Sequence, residues 1–525
     1  MLEVEVHQQL RAFLRACGDR PWLHHLTLAR LVARVLRSGR SSLIQGGTAV
    51  AAGRHRLSYL APALLCEQAV VLVVPPAVQQ RLLEVDLARL RLWLAQSDRP
   101  LPPVHCLVDQ PPEAAQALAA SLRADQPGLW ILSPTQWLTD RLELSGQQSR
   151  LAGLPTLIDG ADDLERWAQE TLRLAISPAD WHRWRLACPD RAQVIHDLEV
   201  AIAHGLLQHP PNPYGAWLLD EPEAATLLQT LRLLAAQLPP LWRTLLHRAG
   251  DQQWPILAQP DRQTGQFHLQ CQPIDVAEIL RPLWQAQPIA LIGSFLDLEV
   301  EAPLYQARLG LDNGDEQRLT CLKFTPDRHQ EAIGFYLPEQ LPLPNTPQFQ
   351  AALMQQLYAL LAWQGPTGFT VVLVGDVPLK GRLAAQLAAE FGSRVQLERT
   401  APDDNGILVT GWDFWRNHSD RLPAPHLLVI AALPIPSLED PLVAARVSAY
   451  KRQRRDWFRW YLLPSALSDL QRSIAPLRER STPDPNAPPL LALLDTRVVR
   501  RSYGSQVLAA LDPVERINDL EPRWL

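Results

Sequence analysis

Five short apolar runs, separated by longer stretches of helical period, constrain this chain more than any other feature. They are SSLIQGG (41–47), AVVLVVPP (69–76), GLWILSP (128–134), LPTLIDG (154–160) and PIALIGSF (288–295). Runs this short and this evenly apolar suit strands buried on both faces. Before the first of them lies LTLARLVARVLRSG and after the second AVQQRLLEVDLARLRLWL, whose apolar residues recur every three or four positions. Buried strands alternating with amphipathic helices predict a parallel sheet with helices on both faces.

The alternation then repeats. FTVVLVGD (369–376), RVQLER (394–399), NGILVTG (405–411), HLLVIAAL (426–433) and LLALLD (490–495) read as a second strand set, with QFQAALMQQLYALLAW and LKGRLAAQLAAEFG as intervening helices. The expected class is α/β, with two parallel-sheet domains. The first domain is expected over 1–165, interrupted at 166–285 by a mainly helical insertion rich in periodic Leu and Ala. Its end and a connection occupy 286–335, and the second domain 336–525.

Composition narrows the function classes. With 525 residues, 47% apolar and 20% charged, the chain can fill two or three cores. A net charge of -5 argues against a globally basic nucleic-acid binder, so any such surface has to be local. Lysine occurs only at 323, 380 and 451, which leaves residues 1–322 without one. The 47 prolines imply many stiff loops and element ends. Six scattered cysteines include no CxxC pair, so neither a zinc site of ordinary spacing nor a disulfide framework is expected, and reduced, buried thiols are. The amphipathic, acid-bearing N-terminus is unlike a signal peptide, and no apolar run has the roughly 18 residues of a membrane span. The expectation is a cytoplasmic protein with no membrane partner.

The motifs follow one another in a particular order. GGTAVAAGRHRLSYLAPALL (46–65) follows the first strand, and VVPPAVQQRLLEVDLARL (73–90) spans the second. The fourth ends in TLIDGADDLERWA (156–168), and QCQPIDVAEILRPLWQAQPIALIGSFL (270–296) spans the fifth. In the second half come GWDFWRNHSDRLPAPHLLVIAALPIPSLEDPL (411–442), DWFRWYLLPSALSDLQRSIAPLRER (456–480) and LLDTRVVRRSYG (493–504). In this order and over almost the whole chain, they resemble the motifs of the DinG/XPD-type superfamily 2 DNA helicases. The resemblance implies two RecA-like domains of the P-loop NTPase fold, ATP with Mg²⁺, and a DNA partner.

By the same resemblance, Gly47, Thr48, Gly53, Arg54 and His55 stand at the phosphate loop, where the family has Gly-Lys-Thr. A phosphate loop needs a compact ammonium and a hydroxyl for Mg²⁺; Arg54 and His55 offer neither. Asp159 stands at the magnesium-side carboxylate, Gly160 replaces the Glu that orients water, and Asp162 replaces the box histidine. Gln471 and Arg478 fall on nucleotide-facing positions, whereas Ala475 replaces the arginine expected to stabilise charge on the γ-phosphate. Pro75 and Pro76 replace hydroxyls that contact DNA, and only Cys106 lies where members with an iron–sulfur cluster carry their ligands, so no cluster is expected.

For DNA, the candidates are Trp415, Arg497 and the stretch KRQRRDWFRWY (451–461), with Arg452, Arg454 and Arg455. Cations interleaved with aromatics suit a single strand. The same stretch also suits a solvated helix with Trp457, Trp460 and Tyr461 packed inward, and His55 and His418 read as incidental polar residues. Three functions remain open on these residues. The favoured one is a helicase relative that binds single-stranded or branched DNA in repair or replication with little or no ATP hydrolysis. The others are a protein-interaction scaffold that kept only the fold, and an active ATP-dependent DNA helicase with unusual motifs.

Overall fold

The structure, a computed structural model, describes residues 2–17, 22–96, 100–107, 127–142, 149, 151–249, 253–312, 319–326, 331–479, 489–518 and 520. Its first sheet has seven parallel strands. The interior is β1 (Ser42–Gln45), β2 (Ala69–Val73), β4 (Gly128–Leu132), β5 (Thr156–Asp159) and β10 (Ile289–Gly293), with every residue buried. The edges are β3 (Val104–Cys106) and β11 (Thr320–Lys323), giving the order β11-β1-β10-β5-β2-β4-β3. The five interior strands are the five apolar runs. The edges escape sequence reading because they are short, half-exposed and carry polar residues such as His105 and Lys323.

The second sheet is also seven-stranded and parallel, in the order β14-β15-β13-β16-β17-β12-β18. Its strands are β12 (Ile333–Tyr336), β13 (Thr370–Leu373), β14 (Val395–Leu397), β15 (Ile407–Thr410), β16 (Leu427–Ile430), β17 (Leu490–Leu493) and β18 (Val514–Ile517). β12 pairs with β17 and β18, so the second domain takes in residues that the sequence assigns to the connection. GFY is too short a run to announce a strand on its own.

The insertion is less helical than its Leu and Ala content suggests. It carries an antiparallel sheet, order β6-β9-β8-β7, of β6 (Leu174–Ile176), β7 (Trp217–Leu218), β8 (Ile256–Pro260) and β9 (Phe267–Cys271). Trp181, Trp184 and Trp242 are fully buried beneath it, with Trp181 and Trp242 ring centroids 4.5 Å apart. Of the six free thiols, Cys66, Cys188 and Cys271 are buried and Cys17, Cys106 and Cys321 only partly so. Among the described residues no helix is long and apolar enough to cross a membrane.

Parallel strands put the loops after β1, β2, β5 and β10 at one end of the first sheet, the end where open α/β sheets bind ligands. Facing it is the Leu463–Arg478 helix of the second domain, which packs directly against the short Gly47–Ala51 helix. The Gly47–Ala51 helix and the loops after β5 and β10 therefore line one interdomain cleft with the Leu463–Arg478 helix.

Candidate functional site

The loop after β1 does not stand open. It coils into the Gly47–Ala51 helix and a turn, and its amides are used internally. Gly46 N–H donates to the Gly293 carbonyl (2.9 Å) and Gly47 N–H to that of Ser294 (3.0 Å). Ala52, Gly53 and Arg54 donate to Thr48, Val50 and Ala49 at 2.8–2.9 Å. Gly53 sits at φ +74°, where a side chain is strained, and a Cβ there would lie 2.5 Å from the Arg56 guanidinium carbon. Thr48 is buried, and its hydroxyl has no hydrogen-bond partner among the described residues. Arg54 reaches across the cleft, its Nε 3.2 Å from Glu479 Oε1 of the second domain.

Both oxygens of Asp159 are occupied. His55 Nε2 lies 2.9 Å from Oδ1, and Tyr59 Oη donates to Oδ2 at 2.8 Å. A carboxylate only accepts, so this geometry puts the His55 proton on Nε2. All three side chains are buried: His55 is 1% exposed, Tyr59 0% and Asp159 6%. Burial pushes the Asp159 carboxyl up, but His55, Arg56 and Tyr59 outweigh it and hold it below the usual carboxylate range. Burial and the Asp159 charge push the Tyr59 phenol up. His55 thus corrects its sequence reading as an incidental polar residue. The signal was present in its spacing from Tyr59, since residues four apart project from one helix face.

Gly160 follows in the left-handed region (φ +90°). Asp162 binds the loop after β10: its carboxylate accepts from Ser294 N–H (2.7 Å), Ser294 Oγ (2.8 Å) and Phe295 N–H (2.8 Å). Next to it Asp163 receives a two-pronged Arg472 guanidinium from the second domain, at 2.9 and 3.0 Å. Burial raises the Asp163 carboxyl, yet Arg472 overrides it and holds the group at about 2. Glu165 is gripped by Arg308 of its own domain and Arg446 of the other. None of Asp163, Arg472, Glu165 and Arg446 stands out in the sequence, because ion pairs spanning roughly 300 positions leave no local pattern.

The second-domain candidates divide. Gln471 is buried beside a cavity of about 250 Å³ between the domains, which Phe295, Leu298, Trp460 and Leu467 also line. Ala475 is buried in the same helix. Arg478 does not face the cleft: it is buried and its guanidinium donates to the Leu511 and Pro513 carbonyls. Burial lowers it to about 10. Trp415 is no stacking platform, being 2% exposed with its indole N–H on the Ser473 carbonyl (3.2 Å). Arg497 is tied to the fully buried Asp495 at 2.6 Å, which also accepts from Leu433 N–H. His418 stacks on Phe414 and contacts its carbonyl.

The 451–461 stretch is not a single helix, and Trp457, Phe458 and Tyr461 pack partly inward against Val443, Val447 and Leu462. The Pro441–Arg452 helix ends, Arg454 takes a left-handed φ of +57°, and a π-helical turn over Phe458–Leu462 leads into the next helix. Lys451, Arg452, Arg454, Arg455 and Arg459 are exposed, and Trp457 and Trp460 are half-buried. Lys451 Nζ lies 5.4 Å from the Trp457 ring centre, and the Arg455 guanidinium 4.8 Å from that of Trp460. Tyr461 does pack inward, its ring 4.3 Å from the Arg446 guanidinium.

No family model matches the chain. Its curated relatives include the ATP-dependent DNA helicase YoaA of Escherichia coli strain K12, 26% identical over 293 residues, or 53% of this chain and 44% of that protein. YoaA of Haemophilus influenzae is 25% identical over 267 residues, 49% of this chain and 40% of its own length. The matches thus span less than half the length of these relatives. Among solved structures, apo XPD superposes with a TM-score of 0.57 at 12% identity, covering 94% of this chain and 100% of that one. Xpd4 of S. tokodaii gives 0.56, at 12% identity and the same coverage. Both share the two-domain fold.

Proposed function

We propose that this chain, a homologue of the DinG/XPD-type helicase YoaA at modest identity, binds single-stranded DNA without hydrolysing ATP. The observation that carries the second half is the engagement of Asp159 by His55 and Tyr59. A Mg²⁺ ion takes oxygen ligands in a near-ideal octahedron and would have to compete with these donors for a buried carboxylate. In the coiled loop the Gly46, Gly47, Ala52, Gly53 and Arg54 amides already donate to backbone carbonyls, and the domain has no lysine before residue 323 to reach a triphosphate. Gly160 has no side chain to orient water, and Ala475 has no charge for the γ-phosphate, a contribution worth roughly 10³–10⁵ in rate when an arginine finger supplies it. The residues present do not fit Mg²⁺·ATP.

The DNA half rests on the 451–460 turn. In a chain of net charge -5, five exposed cations within nine residues make a local positive surface, and two aromatic rings lie among them. Cations fix phosphates while exposed aromatic faces stack bases of any sequence, which is the chemistry of single-strand binding. YoaA is named as a DNA helicase, and by analogy this chain acts on single-stranded or branched DNA in repair or replication.

The test is fluorescence anisotropy of labelled single-stranded DNA over a salt series, with ATP turnover followed in parallel. Affinity should fall with salt with a log–log slope of about -0.7 per phosphate contact, so four contacts give roughly -3. Turnover should stay at background with DNA present. DNA-stimulated hydrolysis that Asp159→Ala abolishes would overturn the ATP reading. Absence of binding even at low salt would overturn the DNA reading and leave a protein-interaction scaffold.

A further inference from the structure

Where the two domains meet across the cleft, buried ion pairs join them. Asp163 of the first domain and Arg472 of the second form a two-pronged pair at 2.9 and 3.0 Å, about four-fifths buried. Glu165 of the first domain pairs with Arg446 of the second, both nine-tenths buried. Arg308 closes on the other Glu165 oxygen, so that carboxylate is saturated. Ser468 Oγ donates to the Phe295 carbonyl at 3.1 Å, and Arg54 meets Glu479 at the far end of the same helix. All of these contacts bear on the Gly47–Ala51 helix and on the loops after β5 and β10. They therefore line the interface that a nucleotide-driven motor must open and close.

We infer that these ion pairs form a latch that holds the domains closed without nucleotide, so that the closed cleft is the protein's resting and working state. Each element contributes a separate reason. The Asp163–Arg472 fork fixes distance and angle together, because a planar guanidinium meets a carboxylate in one plane. Opening would leave Glu165 and Arg446 in a partly dry interface, each having lost a desolvated partner. The Gly47–Ala51 helix fills the space against the Leu463–Arg478 helix, so the closed form has its own packing and needs no ligand to complete it. A ligand shifts such an equilibrium only by its differential affinity for the two forms, and one that reaches neither shifts nothing.

Two measurements on the full chain test the latch, and neither contains DNA, so its failure and that of the DNA reading are distinguishable. In the first, small-angle X-ray scattering of the wild type is recorded with and without Mg²⁺·ATP. The curves should coincide and match the closed structure; a more extended particle, or one that ATP compacts, overturns the inference. In the second, hydrogen exchange is followed at residues 160–168 and 468–476 in wild type and in Arg446→Ala/Arg472→Ala. Exchange there should speed up by on the order of tenfold to a hundredfold in the variant while the interior strands of both sheets keep their protection. Unchanged exchange at the interface overturns the latch. Should the double variant lose its fold, the charge swap Asp163→Arg/Arg472→Asp takes its place, and it should exchange more slowly than either single change. Equal or faster exchange counts against the latch.

Discussion

Tyr59→Phe removes one oxygen and leaves the ring, so it isolates the hydrogen bond to Asp159. The bond is 2.8 Å long, from a fully buried phenol to a carboxylate 6% exposed, which His55 also engages. A hydrogen bond to a charged group contributes about 1.5–3 kcal/mol, and the oxygen's vacancy is too small for water to replace it well. Taking about 2 kcal/mol for a domain of 150–250 residues, the first-domain transition should fall by roughly 4–8 °C in differential scanning calorimetry. The pH dependence carries a second signature. Asp159 titrates below its ordinary value in the folded chain, so its contribution is present above the unfolded carboxylate range and is lost as pH falls through the lower folded value. With Tyr59 gone, the folded value rises, the window narrows and the acid-side loss shrinks. A shift below about 1 °C would refute the structural role given to Asp159, on the same scaling. So would a variant whose transition rises on addition of Mg²⁺, since that carboxylate would then be serving a metal.

Three further outcomes follow from the geometry. Arg472→Met should cost about 3 kcal/mol in urea unfolding, and Asp163→Asn/Arg472→Met should recover much of it, because a lone buried charge costs more than a missing pair. Asp163 lies at about 2 against an ordinary 3.8, a contribution of roughly 2 kcal/mol that is present above pH ~4 and lost as pH falls towards 2; an unchanged acid limb in Arg472→Met would contradict this. Burial raises Glu479 to about 7, with Arg54 opposing, so its proton favours folding at low pH and that benefit disappears as pH rises through 7. Glu479→Gln should therefore be more stable than wild type at pH 8 and close to it at pH 5, and the reverse order in thermal melts would reject the assignment. Trp460→Ala should weaken single-stranded DNA binding by about 1–3 kcal/mol with the melting temperature little changed, since the ring is half-exposed; equal affinity in anisotropy would remove Trp460 from the interface.

What could be read from the sequence follows the range over which each interaction acts. Nine of the ten apolar runs became interior strands because burial on both faces writes itself into consecutive residues, and RVQLER became the edge strand β14. The edge strands β3, β11 and β18 had no such imprint, and β12 is a four-residue interior strand that reads as loop. Losses at the site were equally local: a missing lysine or a glycine after Asp159 can be seen in place. What replaced them was not. Trp415 and Arg478 match family positions by residue type, yet their surroundings make them core groups, with the indole on Ser473 and the guanidinium on Leu511. The antiparallel sheet of the insertion was masked for a related reason, since its four strands have two to five residues each among long Leu-rich helices.

The replacements at the cleft make physical sense only together. A carboxylate at the end of a buried strand is tolerable when a cation neutralises it, and costs several kcal/mol when nothing does. Had the loop merely lost its lysine and hydroxyl, Asp159 would be left buried with few donors, and His55 and Tyr59 supply them instead. The same holds across the cleft. With Ala475 uncharged, Arg472, a turn-length away in the same helix, turns to Asp163, and Asp162 binds the amides after β10. The carboxylates at the cleft, Asp159, Asp162 and Asp163, all have protein partners. A motor needs the opposite arrangement, in which those groups stay under-satisfied until ligand arrives, because that deficit makes binding drive movement. On the reading proposed here, removing the deficit removes the drive, and a cleft whose charges are already paired stays shut.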